Sequence, residues 1–525
     1  MPMPSSRTLP DLLDELAGRH PDRVLLIDGD RRFTYAEFHA EARRLARSFH
    51  ALGVRRGDRV AILMGNRAEW LLVDFAVTML GAALVALNTW WRQRELHHAL
   101  DLTGASVLVM ADRYLKHDYV AELAGMAGLP ELRHIVCLGE TRPAGALTYA
   151  ELCAMGDDVA DAALDAVRAT VRPDDMAYLL FTSGSTARSK AVPLLHGGLI
   201  GNMHGIGERL HLTEHDRLLM VVSLFWSFGC ANALLAMMTH GGSVVLQDSF
   251  DTGRSLELIE QERCTVLYAM PNMALAMQTH PDRARRDLSS LRTGITLPQS
   301  VKLMAGLGVP EITSCYGLTE GYGNSMVTDC KAPLERRAQI SGTALAGTEV
   351  EIVDPATRAP LPIGEAGEIR IRGFVTPGYY RDETTTRAAT DDAGWFYTGD
   401  LARLDAEGGL HFVSRIKELV KTGGINVAPA EVEEILQAHP AVRQAVVVGL
   451  PDPEREEILA ALVVLHDGAQ ATPADLTRHC RAQGAAFKVP RRIVLVGAAE
   501  VPLTDTGKIS KRGVQAMLST RDHAA

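Results

Sequence analysis

The strongest constraint on this chain is an alternation. Short apolar runs at residues 60–64, 84–87, 107–110, 135–137, 218–224, 243–246 and 266–269 are separated by helix-compatible stretches. Strands that are apolar on both faces must be covered on both faces. Intervening helices of about ten to fifteen residues can supply that cover, so the pattern predicts layered α/β sheets. Residues 24–34 (VLLIDGDRRFT) read as a hairpin around Gly-Asp, and 35–52 as a long helix with Leu45, Phe49 and Leu52 on one face. From about residue 335 the texture changes to short strands at 350–353, 368–372 and 410–413 between Gly, Pro and Asp turns, which predicts a β-rich subdomain. The last hundred or so residues begin again, with helices at 431–438 and 473–483 and strands at 442–449, 460–466 and 492–496. The expected boundaries are 1–413 for a large N-terminal domain, 414–418 for a hinge, and 419–525 for a small α+β C-terminal domain.

Several function classes drop out on charge and composition. A net charge of −10 gives none of the basic excess of a nucleic-acid binder. The seven cysteines are dispersed without a CxxC pair, which predicts reduced thiols in a cytoplasmic protein and neither a disulfide framework nor a cysteine zinc site. The N-terminus has no apolar signal-like core. Residues 75–91 and 228–246 could mimic a membrane span, but Asp74 and Arg92 flank the first, and His240, Gly241 and Gly242 interrupt the second. Both read as a buried helix running into a buried strand.

Five segments carry chemistry. In the first, an apolar strand at 178–181 runs into Thr182, Ser183, Gly184, Ser185 and Thr186, followed by Arg188 and Lys190. Small residues let backbone N–H groups and hydroxyls approach phosphate oxygens, and a lysine adds charge. The plain alternative is a polar loop, and the spacing is not that of a Walker A loop. The second, SCYGLTE at 314–320, places an aromatic face, a tight turn, a hydroxyl and a carboxylate together, a set able to stack a base, bind phosphate and hold Mg²⁺. A capped turn is the alternative. In the third, Asp400 follows a Thr-Gly turn and could bind two ribose hydroxyls, or simply cap that turn. The fourth and fifth, at 415–427 and 502–510, set lysine beside glycine. The chain has only nine lysines, and four of them (190, 417, 421 and 508) fall in these loops. That enrichment favours anion binding.

Taken together and in order, the five segments resemble the adenylate-forming superfamily of acyl-CoA synthetases, peptide-synthetase adenylation domains and luciferases, over nearly the whole chain. The resemblance implies a large N-terminal body of α/β sheets with a β-subdomain and a mobile C-terminal domain. It also implies that Thr182, Ser183, Gly184, Ser185, Thr186 and Lys190 hold the ATP phosphates. Tyr316, with Gly317, would stack on adenine, Thr319 contact the α-phosphate, and Glu320 ligate Mg²⁺. Asp400, with Arg415, would bind the ribose. Lys417 falls at the hinge, and Lys508 matches a lysine that swings in to bridge the acid and the α-phosphate. Trp226, Phe228 and Gly294 sit where relatives line the acid pocket.

The chain departs from the family pattern at Ala187, Ser189 and Ala191 in the phosphate loop, at residues 294–298, which read as a shortened pocket loop, and at Ser414 and Glu456, where glycine is usual. The function implied is ATP-dependent activation of a small-molecule acid with release of pyrophosphate, then transfer to CoA. Transfer to an amine or a carrier protein, including nitrite activation for diazotisation, is the alternative, and a non-catalytic nucleotide binder a third. Other expected associations are a homodimer, no nucleic acid and no membrane span.

Overall fold

Thr34 shows how local chemistry starts an element. Its Oγ1 accepts from the Glu37 N–H at 3.1 Å, and Glu37 Oε2 accepts from the Thr34 N–H at 2.8 Å, so two donors at the head of the helix Tyr35–Ala51 are satisfied reciprocally. The helix buries Phe38, Ala42, Leu45 and Phe49, and the Phe38 ring meets Phe75 edge-on at 5.7 Å. Phe75 lies on the helix Ala68–Met79, which is buried on every side. That helix carries Asp74 into the core, where Oδ2 accepts from the Tyr178 hydroxyl at 2.7 Å.

The structure is a computed structural model describing residues 3–182, 189–422, 425–452, 455–483, 486–504 and 509–520. It divides into two compact units, Met1–Val350 with Ile371–Phe396, and Glu351–Arg370 with Tyr397–Ala525.

The first unit contains two large sheets. One runs, edge to edge, Thr343–Ala344, Gly323–Val327, Glu311–Leu318, Thr293–Thr296, Val266–Leu267, Arg217–Met220, Ser243–Leu246, Val24–Asp28 and Arg31–Thr34. The other runs Lys190–Leu195, Met176–Thr182, Ala83–Ala86, Arg59–Leu63, Val107–Ala111, His134–Leu138 and Leu147–Thr148. Their inner strands pair in parallel and are nearly all buried, as the apolar runs require. The strand expected at 218–224 stops at Met220. There Asn66 takes over the backbone, donating from Nδ2 to Val222 O at 3.0 Å and accepting the Leu224 N–H at 2.9 Å.

The apolar run 228–246 is a buried helix followed by a buried strand, as read, but the helix is π-wound over Ser227–Leu235 before Ala236–Thr239 becomes α. No helix among the described residues is long and apolar enough to cross a membrane. All seven cysteines are free.

In the second unit, the strands Val442–Asp452 and Glu456–Leu465 form a long antiparallel hairpin, and Arg492–Leu495 pairs in parallel with Glu456–Leu465. The helices Pro429–Gln437, Pro473–Gln483 and Lys511–Thr520 bury Val432, Leu436, Leu476, Cys480, Val514 and Leu518. A four-stranded sheet ordered Glu349–Val353, Gly367–Arg372, Phe396–Leu404 and Leu410–Arg415 carries Asp400 and Arg415.

Candidate active site

Open α/β sheets present ligand sites at the carboxyl ends of their strands, and the motif residues of the first unit gather there. The antiparallel pair Met176–Thr182 and Lys190–Leu195 ends with Thr182 opposite Lys190, which sets a hydroxyl beside an ammonium at the end of the ladder. Ser183, Gly184, Ser185, Thr186, Ala187 and Arg188 lie outside the described residues.

The strand Glu311–Leu318 carries Tyr316 and Gly317 and delivers Thr319 and Glu320 into a single 3₁₀ turn, Thr319–Gly321. The ladder slips by a residue between Tyr316 and Gly317, a bulge that re-aims the end of the strand. Gly317 is required there, because a Cβ would stand 1.8 Å from Gly323 O. Tyr322 follows in the left-handed region at φ 59°. Three contacts hold it in that costly conformation: its hydroxyl accepts the Leu195 N–H at 3.0 Å, and its carbonyl accepts from Asn232 Nδ2 at 3.0 Å and Asn202 Nδ2 at 3.4 Å. Thr319 Oγ1 is 3.2 Å from Ser227 Oγ at the start of the π-helix.

Glu320 and Lys190 are linked by a residue the sequence reading did not single out. Tyr379 donates its hydroxyl to Glu320 Oε1 at 2.9 Å, and the Lys190 ammonium lies over its ring, 4.5 Å from the centroid. Burial and the Glu320 carboxylate push the Tyr379 phenol above its ordinary value, so it remains a donor. Its segment is pinned to both motifs: Thr376 N–H donates to Glu320 O at 2.7 Å, Thr376 Oγ1 to Pro193 O at 2.8 Å, and Tyr380 N–H to Ala191 O at 2.9 Å. The Gly378-Tyr379-Tyr380 run was the visible signal for it. The donor set suits a hard cation. Thr319 supplies a hydroxyl oxygen and Glu320 a carboxylate with one oxygen already oriented, which fits Mg²⁺ with retained water better than a thiophilic metal.

Trp226 and Phe228 belong to an aromatic group. The rings of Trp90, Phe225 and Trp226 lie 5.1–5.2 Å apart pairwise, and Phe228 is 5.2 Å from Tyr268. The Tyr268 hydroxyl is buried without a hydrogen-bond partner. Gly294 is not in a loop. It lies inside the strand Thr293–Thr296, where a Cβ would meet Leu267 O at 1.8 Å, and a 3₁₀ turn follows at Pro298–Ser300.

In the second unit, Asp400 and Arg415 are register partners with Nε 3.3 Å from Oδ1, and Asp400 is buried. Nearby Glu368 accepts the Gly399 N–H at 2.9 Å, and burial raises its pKa above the ordinary value. Lys417 lies in the 3₁₀ turn Ile416–Glu418. Lys508 lies outside the described residues. Four lysines outside the motif loops pair with carboxylates: Lys302 with Glu335 at 2.7 Å, Lys331 with Glu311, Lys488 with Glu431 at 2.7 Å, and Lys511 with Glu418 at 3.3 Å.

The chain matches the AMP-binding enzyme family over residues 13–380 and the AMP-binding enzyme C-terminal domain over 431–508. It is 33% identical to a mitochondrial medium-chain acyl-CoA ligase of Danio rerio, over 96% of this chain and 87% of that one. It is 34% identical to a feruloyl-CoA synthase of an Amycolatopsis species, over 94% and 96%. The crystal structure of an anthranilate CoA ligase in complex with anthranoyl-AMP superposes with a TM-score of 0.85 at 27% identity, over 100% of this chain and 99% of that one. The chain therefore belongs to the AMP-binding enzyme family, as an AMP-forming ligase of the acyl-CoA synthetase kind.

Proposed function

We propose that this chain activates an aryl carboxylic acid as its acyl-adenylate and transfers the acyl group to CoA. The observation that carries the adenylation reading is the Lys190–Tyr379–Glu320 cluster at the Thr182–Lys190 end of the ladder, beside Thr319. In this reading a carboxylate oxygen of the acid attacks the α-phosphorus of ATP in line, and pyrophosphate leaves. Charge that builds on the phosphate oxygens must be met by fixed cations and donors. Lys190, with Thr182 and the hydroxyls at 183, 185 and 186, is assigned to the β- and γ-phosphates, and Thr319 to the α-phosphate. Glu320 would hold Mg²⁺, which supplies charge neutralisation when bound. Tyr379 fixes the Glu320 carboxylate and carries Lys190 on its ring. Tyr316 is assigned to the adenine, Asp400 and Arg415 to the ribose, Lys508 to the attacking carboxylate, and Lys417 to the hinge.

The aryl preference rests on the aromatic side chains grouped around Trp226 and Phe228, and on the buried hydroxyl of Tyr268, which has a donor to give to a polar ring substituent. Two of the relatives above, the feruloyl-CoA synthase and the anthranilate CoA ligase, are named for aryl groups, whereas the third is named for medium-chain acyl groups. The experiment is pyrophosphate release across aryl, medium-chain and inorganic acids, with and without CoA, amines and a carrier protein. Release with substituted aryl acids, and conversion to the thioester when CoA is added, is the expected result. No release with any acid refutes the enzyme reading. Turnover with an amine and without CoA refutes the acceptor.

A further inference from the structure

Asp400 lies on the middle one of three neighbouring strands, Gly367–Arg372, Phe396–Leu404 and Leu410–Arg415. A carboxylate binds two neighbouring hydroxyls only when both of its oxygens are aimed. A strand alone fixes no more than the face of the sheet from which a side chain projects. Gly399 sits at φ 72°, in the left-handed region, so the extended run is broken one residue before Asp400. A Cβ at Gly399 would meet nothing within 4 Å, so the glycine answers to backbone conformation and not to crowding. Glycine reaches that conformation easily, but it leaves it as easily. The turn therefore needs an anchor.

Glu368 and Ile369, on the neighbouring strand, supply it. Glu368 is only 9% exposed, and its Oε1 accepts the Gly399 N–H at 2.9 Å. Thr398 Oγ1 donates to Ile369 O at 2.8 Å and accepts the Asp400 N–H at 3.1 Å. Thr398, Gly399 and Asp400 are thus tied one after another, and Arg415 Nε stands 3.3 Å from Asp400 Oδ1 on the opposite side. Any buried carbonyl or hydroxyl could satisfy one backbone donor. A buried carboxylate is a costlier choice, and burial raises the Glu368 pKa, with the like charge of Asp400 adding to it. Such costs gather at ligand sites.

We propose that Glu368 is a positioning residue for the nucleotide. By holding the Gly399 N–H it fixes the turn that aims the Asp400 carboxylate at both ribose hydroxyls, and so sets a preference for ribonucleotides over deoxyribonucleotides. The proposal rests on the assignment of Asp400 to the ribose, and Glu368 acts through Asp400 without touching the nucleotide. A nucleotide that lacks one hydroxyl leaves a charged acceptor without its donor, which penalises binding. That penalty is large only while the carboxylate is held in place. A carboxylate free to swing into water recovers the missing hydrogen bond there and discriminates poorly.

The test is calorimetric binding of ATP, 2′-deoxyATP and 3′-deoxyATP, with Mg²⁺ and without acid, to full-length wild type, Glu368→Met, Glu368→Gln and Asp400→Ala. Methionine keeps the volume and removes the acceptor, whereas glutamine keeps a carbonyl oxygen for the Gly399 N–H. Wild type should bind ATP about 10-fold or more tightly than either deoxynucleotide. Glu368→Met should lose most of that preference through weaker ATP binding, with the deoxynucleotides bound as by wild type. Glu368→Gln should keep the preference. If Asp400→Ala and wild type show the same ratio of affinities, the ribose assignment fails and the proposal falls with it. If Asp400→Ala loses the preference and Glu368→Met keeps it, the ribose assignment stands and the proposal is overturned. Equal weakening of all three nucleotides by Glu368→Met, or loss of the preference in Glu368→Gln, overturns it as well.

Discussion

Asp74→Asn tests the physics of the buried helix. Asp74 is fully buried, Oδ2 accepts from Tyr178, and Oδ1 has no hydrogen-bond partner. Burial raises its pKa from 3.8 to about 7, and the Tyr178 hydrogen bond offsets only part of that. Below pH 3.8 the carboxyl is neutral in both folded and unfolded chains and imposes no penalty. Between 3.8 and about 7 the unfolded chain releases the proton and the folded chain keeps it, so stability falls as pH rises. Above about 7 the penalty is constant, on the order of 4 kcal/mol at about 1.4 kcal/mol per pH unit. Asparagine keeps the shape and the acceptor for Tyr178 but does not titrate. The stability of Asp74→Asn relative to wild type should therefore improve by about 3 kcal/mol between pH 5 and pH 8. Urea unfolding at the two pH values, followed by the fluorescence of Trp70 on the same buried helix, reads that difference. Titrations common to both proteins cancel. A difference that is flat with pH refutes the reasoning.

Tyr379→Phe keeps the ring under Lys190 and deletes a hydrogen bond to a carboxylate worth about 1.5–3 kcal/mol, so kcat/KM in ATP–pyrophosphate exchange should fall roughly tenfold or more with the fold intact; unchanged exchange would show that Glu320 needs no orienting partner. Tyr268→Phe removes an unpaired buried hydroxyl, so the protein should be at least as stable by thermal melt, while KM rises for hydroxy- or amino-substituted aryl acids and not for unsubstituted ones. Glu456 is held at φ 66°, and Glu456→Gly should raise the unfolding midpoint of the second unit by the equivalent of about 1 kcal/mol. Gly317→Ala should abolish exchange, since its Cβ and the carbonyl of Gly323 cannot share the same space.

Where one face or one period dominates, the sequence was readable. Strands buried on both sides show as unbroken apolar runs, and the capped helix Tyr35–Ala51 lies within a residue of its predicted span. The π-winding of Ser227–Leu235 had no such signal, because a segment apolar on nearly every side looks the same at any period. Asp74 read only as the charged edge of an apolar stretch. Its meaning depends on Tyr178, which lies far along the chain and arrives on a neighbouring strand.

The site divides along the same line. Thr182 and Lys190, or Tyr316 through Glu320, are close in sequence, so local spacing already encodes the group that meets a phosphate or a metal. Tyr379 is 59 residues from Glu320, and the contact depends on Thr376 and Tyr380 hydrogen-bonding to Pro193, Ala191 and Glu320. The Gly378-Tyr379-Tyr380 run marks aromatic residues after a glycine but carries no trace of which partners they meet. Glu456 is the converse case. The sequence marked it only as a position where relatives usually carry glycine, and the structure holds its backbone in the left-handed region at φ 66°. A motif therefore names the groups that touch ligand, while the groups that aim them depend on where the chain crosses back. Here that crossing puts one phenol between the carboxylate and the lysine, so loss of its hydroxyl should impair catalysis without loosening the fold.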